Sequence, residues 1–131
     1  MTEIDRSDWA LPPRTNLPYD APSAEDLIQA VQEYLSEDLL PKSSGAEKWK
    51  LRIAVNSLSI AIRELTERDE DQATYAKIMN ELGVEDEASL AEKIKAGEFD
   101  GNLPDIHKKL SEITRRKLNV SNPLYMKPES P

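Results

Sequence analysis

Trp49-Lys-Leu-Arg-Ile-Ala-Val-Asn-Ser-Leu-Ser-Ile-Ala-Ile-Arg-Glu-Leu65 is the most apolar stretch of the chain, yet it carries Arg52, Asn56, Ser59 and Arg63. Each residue of a helix turns by about 100°, so these four polar side chains fall in one narrow stripe. Trp49, Ile53 and Ile60 line one edge of it, and Leu51, Val55, Leu58, Ile62 and Leu65 line the other. Leu51, Ile53 and Val55 alternate as a strand would, but helical spacing follows and no hairpin partner exists. The predicted fold class is therefore all-α: a single small bundle of four to five helices with extended N- and C-terminal arms. Polar groups between apolar flanks are costly to leave unpaired, so the stripe is expected to be sheltered. Its partners could be internal, with Arg52 or Arg63 paired to first-helix acids such as Glu33 or Glu37. The forked guanidinium donors could equally grip a carboxylate or phosphate from outside. The small edge formed by Ala54, Ser57 and Ala61 would permit close packing, including homo-oligomerisation.

The neighbouring segments carry helix signals of their own. Ser23-Ala-Glu-Asp26 is a capping-box-like start, and Leu27, Ile28, Val31, Tyr34, Leu35 and Leu39 follow at helical spacing until Pro41 stops the helix near Leu40. The second helix is expected from about Ala46 to Arg68. The charged run Glu67–Asp71 is expected to open a third, closed by Gly83. A short fourth helix runs through Leu90 and Ile94 to Gly97. Pro104 suits the first turn of a fifth, whose buried stripe is Ile106, Leu110 and Ile113. The predicted organisation is an extended Pro-rich arm at 1–22, a helical bundle at 23–118 and an extended tail at 119–131. Trp9, Leu11, Leu17 and Tyr19 stand among the four prolines of the arm. They make Trp9 and Tyr19 candidate anchors against a surface.

The chain has 131 residues and a formal charge of −8. Phosphate-backbone binding wants clustered excess Lys and Arg, so free nucleic acid is not an expected partner. Without cysteine there is no disulfide, thiolate metal site or cysteine nucleophile. No apolar run approaches the roughly 20 residues of a membrane span, and no signal peptide is evident. No membrane association is therefore expected, and a cytoplasmic location is. His107 is the single histidine, and no nucleophile–base set or metal-ligand spacing accompanies it. Neither catalytic residues, a metal nor a cofactor are expected. Lys108, Lys109, Arg115, Arg116 and Lys117 form one basic patch on the fifth helix. That patch is either an ordinary solvated face or a landing site for an acidic partner or a phosphate-bearing ligand.

Four segments agree in order and spacing with one known pattern. They are the opening helix ending in Leu40-Pro41; Arg52-x-Ala54-x-Asn56-x-Leu58-x-Ile60-x-x-Arg63-Glu64-Leu65; Ile94-Lys-Ala-Gly97-Glu-Phe-Asp100; and Lys117-Leu-x-Val120-x-Asn122-Pro-x-Tyr125. Over about residues 22–126 the chain resembles a family of small helical bacterial proteins known only as a domain of unknown function. Members of that family accompany aminoglycoside-phosphotransferase-like kinases and acyl-CoA dehydrogenases. The resemblance implies a non-catalytic accessory subunit of a phosphotransferase-fold kinase acting on hydroxyacyl-CoA, as in levulinate or 4-hydroxy acid catabolism. Arg52, Asn56, Arg63, Asn122 and Tyr125 match recurrent positions of the family and are the candidate partner- or ligand-binding residues. The alternative is a stand-alone helical module that binds an acyl-CoA or another anionic small molecule.

Overall fold

A computed structural model describes residues 16–126. The Trp9 anchor lies outside the described residues. Among them the chain is helical, with no strand. The four α-helices are α1 (Ala24–Glu33), α2 (Gly45–Glu81), α3 (Glu87–Lys95) and α4 (Leu103–Ser121). The chain divides into two compact units, Met1–Ser59 and Ile60–Pro131.

In the first unit, Ser23 caps α1 as expected, its hydroxyl accepting the Asp26 N–H at 3.3 Å. The helix then widens into a π turn over Tyr34–Leu39, where the Leu40 N–H reaches back to the Leu35 carbonyl. Pro41 does not end the helical path at Leu40. It sits inside a final 3₁₀ turn, Leu40–Lys42, which tolerates its missing N–H. Ile28 of α1, Leu35 of the π turn, and Leu51, Val55 and Leu58 of α2 are half-buried. Leu27, Val31, Tyr34, Trp49 and Ile53 are exposed.

The second and third expected helices are one. α2 runs 37 residues without interruption. No Gly or Pro occurs between residues 46 and 82, so nothing breaks the hydrogen-bond ladder. The charged run at Glu67–Asp71 is a change of surface, not a boundary. Its Arg68 reaches back to Glu64 in an i,i+4 pair at 3.2 Å.

The second unit holds the core. Ile78, Met79, Leu82, Leu90, Ile106 and Ile113 are buried there, with Tyr75, Val84, Ile94, Phe99 and Leu110 packed against them. Both expected glycine stops occur. Gly83 (φ 68°) ends α2 and Gly97 (φ 81°) follows α3. In each case the next residue's N–H bonds a carbonyl five residues back: Val84 to Met79 at 3.0 Å and Glu98 to Lys93 at 3.1 Å. α4 continues to Ser121, three residues beyond the expected end of the bundle. It stops where Asn122 precedes Pro123, because the proline ring disfavours helical backbone in the residue before it. The next four residues, Pro123–Met126, form a 3₁₀ turn where an extended tail was expected.

Candidate functional site

The stripe of helix two separates into two kinds of residue. Ser59 is engaged: it accepts a hydrogen bond from Gln32 of α1 and donates to the Val55 carbonyl at 3.0 Å. Arg63 is engaged too, its Nε donating to the Val120 carbonyl at 2.8 Å. Arg52 and Asn56 are exposed, and neither has a hydrogen-bond or ion-pair partner among the described residues. The expectation of shelter therefore fails for these two. They share a helix side with Trp49 and Ile53, and among the described residues no element of the first unit covers that side. The pairing of Arg52 or Arg63 with Glu33 or Glu37 is not formed.

Arg63 has a specific structural effect. Val120 is next to last in α4, so its carbonyl is among the four at the helix end that no intrahelical N–H can reach. α4 carries no basic residue in its own last turn. Arg63 supplies from α2 both the missing donor and a cation at the negative end of the helix dipole. Immediately beyond, the Asn122 N–H bonds the Leu118 carbonyl at 2.8 Å, and the Tyr125 N–H bonds the Asn122 carbonyl at 3.1 Å. These bonds hold a tight turn from which Leu124 (69 % exposed) and Tyr125 (74 % exposed) project into solvent. Three of the five residues singled out by the family pattern, Arg63, Asn122 and Tyr125, thus belong to one helix end. Arg52 and Asn56 do not join them. Leu124 was not among the sequence candidates. The signal for it was the Pro123 beside it, which turns the chain and exposes the next side chain.

The basic patch of α4 is largely neutralised by the protein's own acids. Arg116 reaches Asp71 at 2.9 Å, Glu112 at 3.1 Å and Glu70 at 3.5 Å. Hydrogen bonding to Asp71, then to Glu112, pushes its guanidinium pKa further up. Lys109 bonds Asp105 at 2.7 Å and lies 3.8 Å from Glu81. The Asp105 bond raises the Lys109 pKa and lowers that of Asp105. Arg115 pairs with Glu112 and Lys117 with Glu87, each at 3.0 Å. A groove of about 500 Å³ runs beside this network, lined in part by Gln72, Tyr75, Ile113 and Val120. Its cations already have carboxylate partners, so an anionic ligand would have to compete for them.

Tyr19 is exposed, in a turn where its N–H bonds the Asn16 carbonyl at 3.0 Å. His107 is exposed as well. Among the described residues, no group of three or more His, Asp or Glu side chains is placed to hold a metal ion, and no helix is long and apolar enough to cross a membrane.

Residues 41–125 match the profile of a family described as Domain of unknown function (DUF6285), and the chain belongs to that family. The match takes in α2, α3, α4 and the turn through Tyr125, and it begins after α1. No curated protein and no solved structure gives a match.

Proposed function

We propose that this DUF6285 protein is a non-catalytic accessory subunit that docks on a larger enzyme subunit through the end of α4. The observation that carries the reading is the exposed Leu124–Tyr125 pair, held in a hydrogen-bonded turn that Arg63 anchors from a distant part of the chain. Aromatic side chains dominate interface energetics. A turn already fixed before binding avoids part of the ordering cost of association. The partner proposed is an aminoglycoside-phosphotransferase-like kinase acting on hydroxyacyl-CoA. That identity rests on the resemblance of the helix-two and C-terminal motifs, not on the geometry. The stand-alone anion-binding alternative draws less support, because the cations of α4 other than Lys108 are already paired with acids.

The test is co-expression of the tagged chain with such a kinase, followed by co-purification and an assay of ATP-dependent phosphorylation of a 4-hydroxyacyl-CoA. The expected result is a stable complex that phosphorylates the substrate, with no activity in the isolated chain. Leu124→Ala combined with Tyr125→Ala should weaken association by at least about tenfold while leaving helicity unchanged. Failure of the two proteins to associate, or activity of the chain alone, would overturn the reading.

A further inference from the structure

The two units treat their charges differently. In the second unit Arg68, Lys109, Arg115, Arg116 and Lys117 all have carboxylate partners. In the first unit no ion pair forms among the described residues of α1, the π turn and the start of α2. The segment 24–39 carries Glu25, Asp26, Glu33, Glu37 and Asp38, and no Lys or Arg. The start of α2 carries Lys48, Lys50 and Arg52 against the single acid Glu47.

Each of these oppositely charged segments also displays uncovered apolar side chains. On α1 and its π turn these are Leu27, Val31 and Tyr34, at positions i, i+4 and i+7 of one face. On α2 they are Trp49 and Ile53, at i and i+4, with Lys50 and Arg52 on either side of their line. An acid-flanked apolar face and a cation-flanked apolar face on one small unit are complementary to each other, not to themselves. A single chain cannot use that match, since both faces point outward. Two chains related by a two-fold axis can use it twice, which closes the assembly.

We propose that the outer face of the N-terminal unit is a homodimer interface. The Leu27/Val31/Tyr34 face of each copy lies on the Trp49/Ile53 face of the other. Glu37 and Asp38 then meet Lys50 and Arg52 across both contacts. Five large apolar side chains from each copy leave water, with a complementary charged rim of the kind that fixes register and partner choice. This interface uses residues other than those of the Leu124–Tyr125 turn.

Sedimentation velocity and light scattering on the full chain, over a concentration series and at low and high salt, test the proposal. The wild-type chain is expected to dimerise, and less tightly as salt screens the rim. Trp9→Phe leaves Trp49 as the only tryptophan, and its emission should shift to the blue with concentration as the dimer forms. Two charge reversals supply the decisive arm: Glu37→Lys with Asp38→Lys in one chain, Lys50→Glu with Arg52→Glu in another. Each variant alone should dimerise at least about tenfold more weakly, and an equimolar mixture should recover the dimer, since both contacts are then complementary again. Circular dichroism checks that each variant is helical. If a reversal fails to fold, the neutral pair Glu37→Gln and Asp38→Asn should still weaken the dimer and flatten its salt dependence. A monomeric wild-type chain at every concentration overturns the proposal, even if the Trp49 face then proves to bind the kinase. So does a dimer that none of these substitutions weakens, or folded reversal variants whose mixture fails to recover it.

Discussion

Two arginines of similar sequence setting have different surroundings, and mutation should separate them. Arg63 donates to the Val120 carbonyl at a helix end, so Arg63→Ala leaves that acceptor without its partner and removes a cation from the dipole's negative end. Urea denaturation should register a loss of about 1–2 kcal/mol, and Arg63→Lys should recover part of it. Arg52 is exposed and unpaired among the described residues, so at concentrations low enough to keep the chain monomeric Arg52→Ala should stay within about 0.5 kcal/mol of the native chain in the same assay. Both stand in the same polar stripe at helical spacing, and nothing local distinguishes them. The helical stripe was legible in the sequence; its partition was not. Partition depends on whether another element happens to pass, and Val120 lies 57 residues away. Arg116 makes the same point: its contact with Asp71 spans 45 residues and makes an internal network of a patch that the sequence left open between a solvated face and a landing site.

Helix ends are the features where local sequence speaks most directly. Ser23, Gly83, Gly97 and Pro104 all act at helix termini, because caps and left-handed stops are decided within a few residues. Gly97 is the strictest of them. A Cβ there would lie 2.9 Å from Asp100 Oδ2, in a conformation that side chains rarely adopt. Gly97→Ala should therefore cost about 1–2 kcal/mol, more than Gly83→Ala, where the space is open, and thermal unfolding can rank the two. α3 also carries an acid-sensitive start. The Ser89 N–H bonds Asp86 Oδ1 at 2.7 Å and holds the carboxyl below its ordinary range. A carboxylate with a lowered folded-state pKa contributes stability in full above its unfolded value, near 3.9, and loses it as pH falls through the lowered value. Amide protection factors in α3, each taken against the intrinsic exchange rate at that pH, should therefore fall on acidification below about pH 4. Asp86→Asn should flatten that dependence. The boundary misread between the expected second and third helices came from charge, which marks a solvated surface but has no means of stopping a helix.

At the scale of the whole molecule, the buried apolar residues among those described all belong to one of the two units. Ile78 through Ile113 make a core in the C-terminal unit, whereas the N-terminal unit's one buried residue among those described is Ser23. Local opening costs least where few apolar contacts resist it. Hydrogen exchange at low protein concentration should show α1 and the first turns of α2 far less protected than the second half of α2 and α4. Protection of α1 should rise with concentration if the proposed dimer forms. Equal protection throughout at low concentration would contradict the uneven core. By itself the sequence determined that the chain is helical, where most helices begin and end, and which face of α4 is apolar. Those properties follow from backbone propensity, capping and periodicity, all of them short-range. Only the tertiary structure decided that Arg63 secures the end of α4 and that Trp49, Ile53, Leu27 and Val31 stay exposed on the single chain. Apolar periodicity states that a face seeks cover. Whether cover exists depends on how many elements a chain of this size brings together, and among the described residues the first unit has too few.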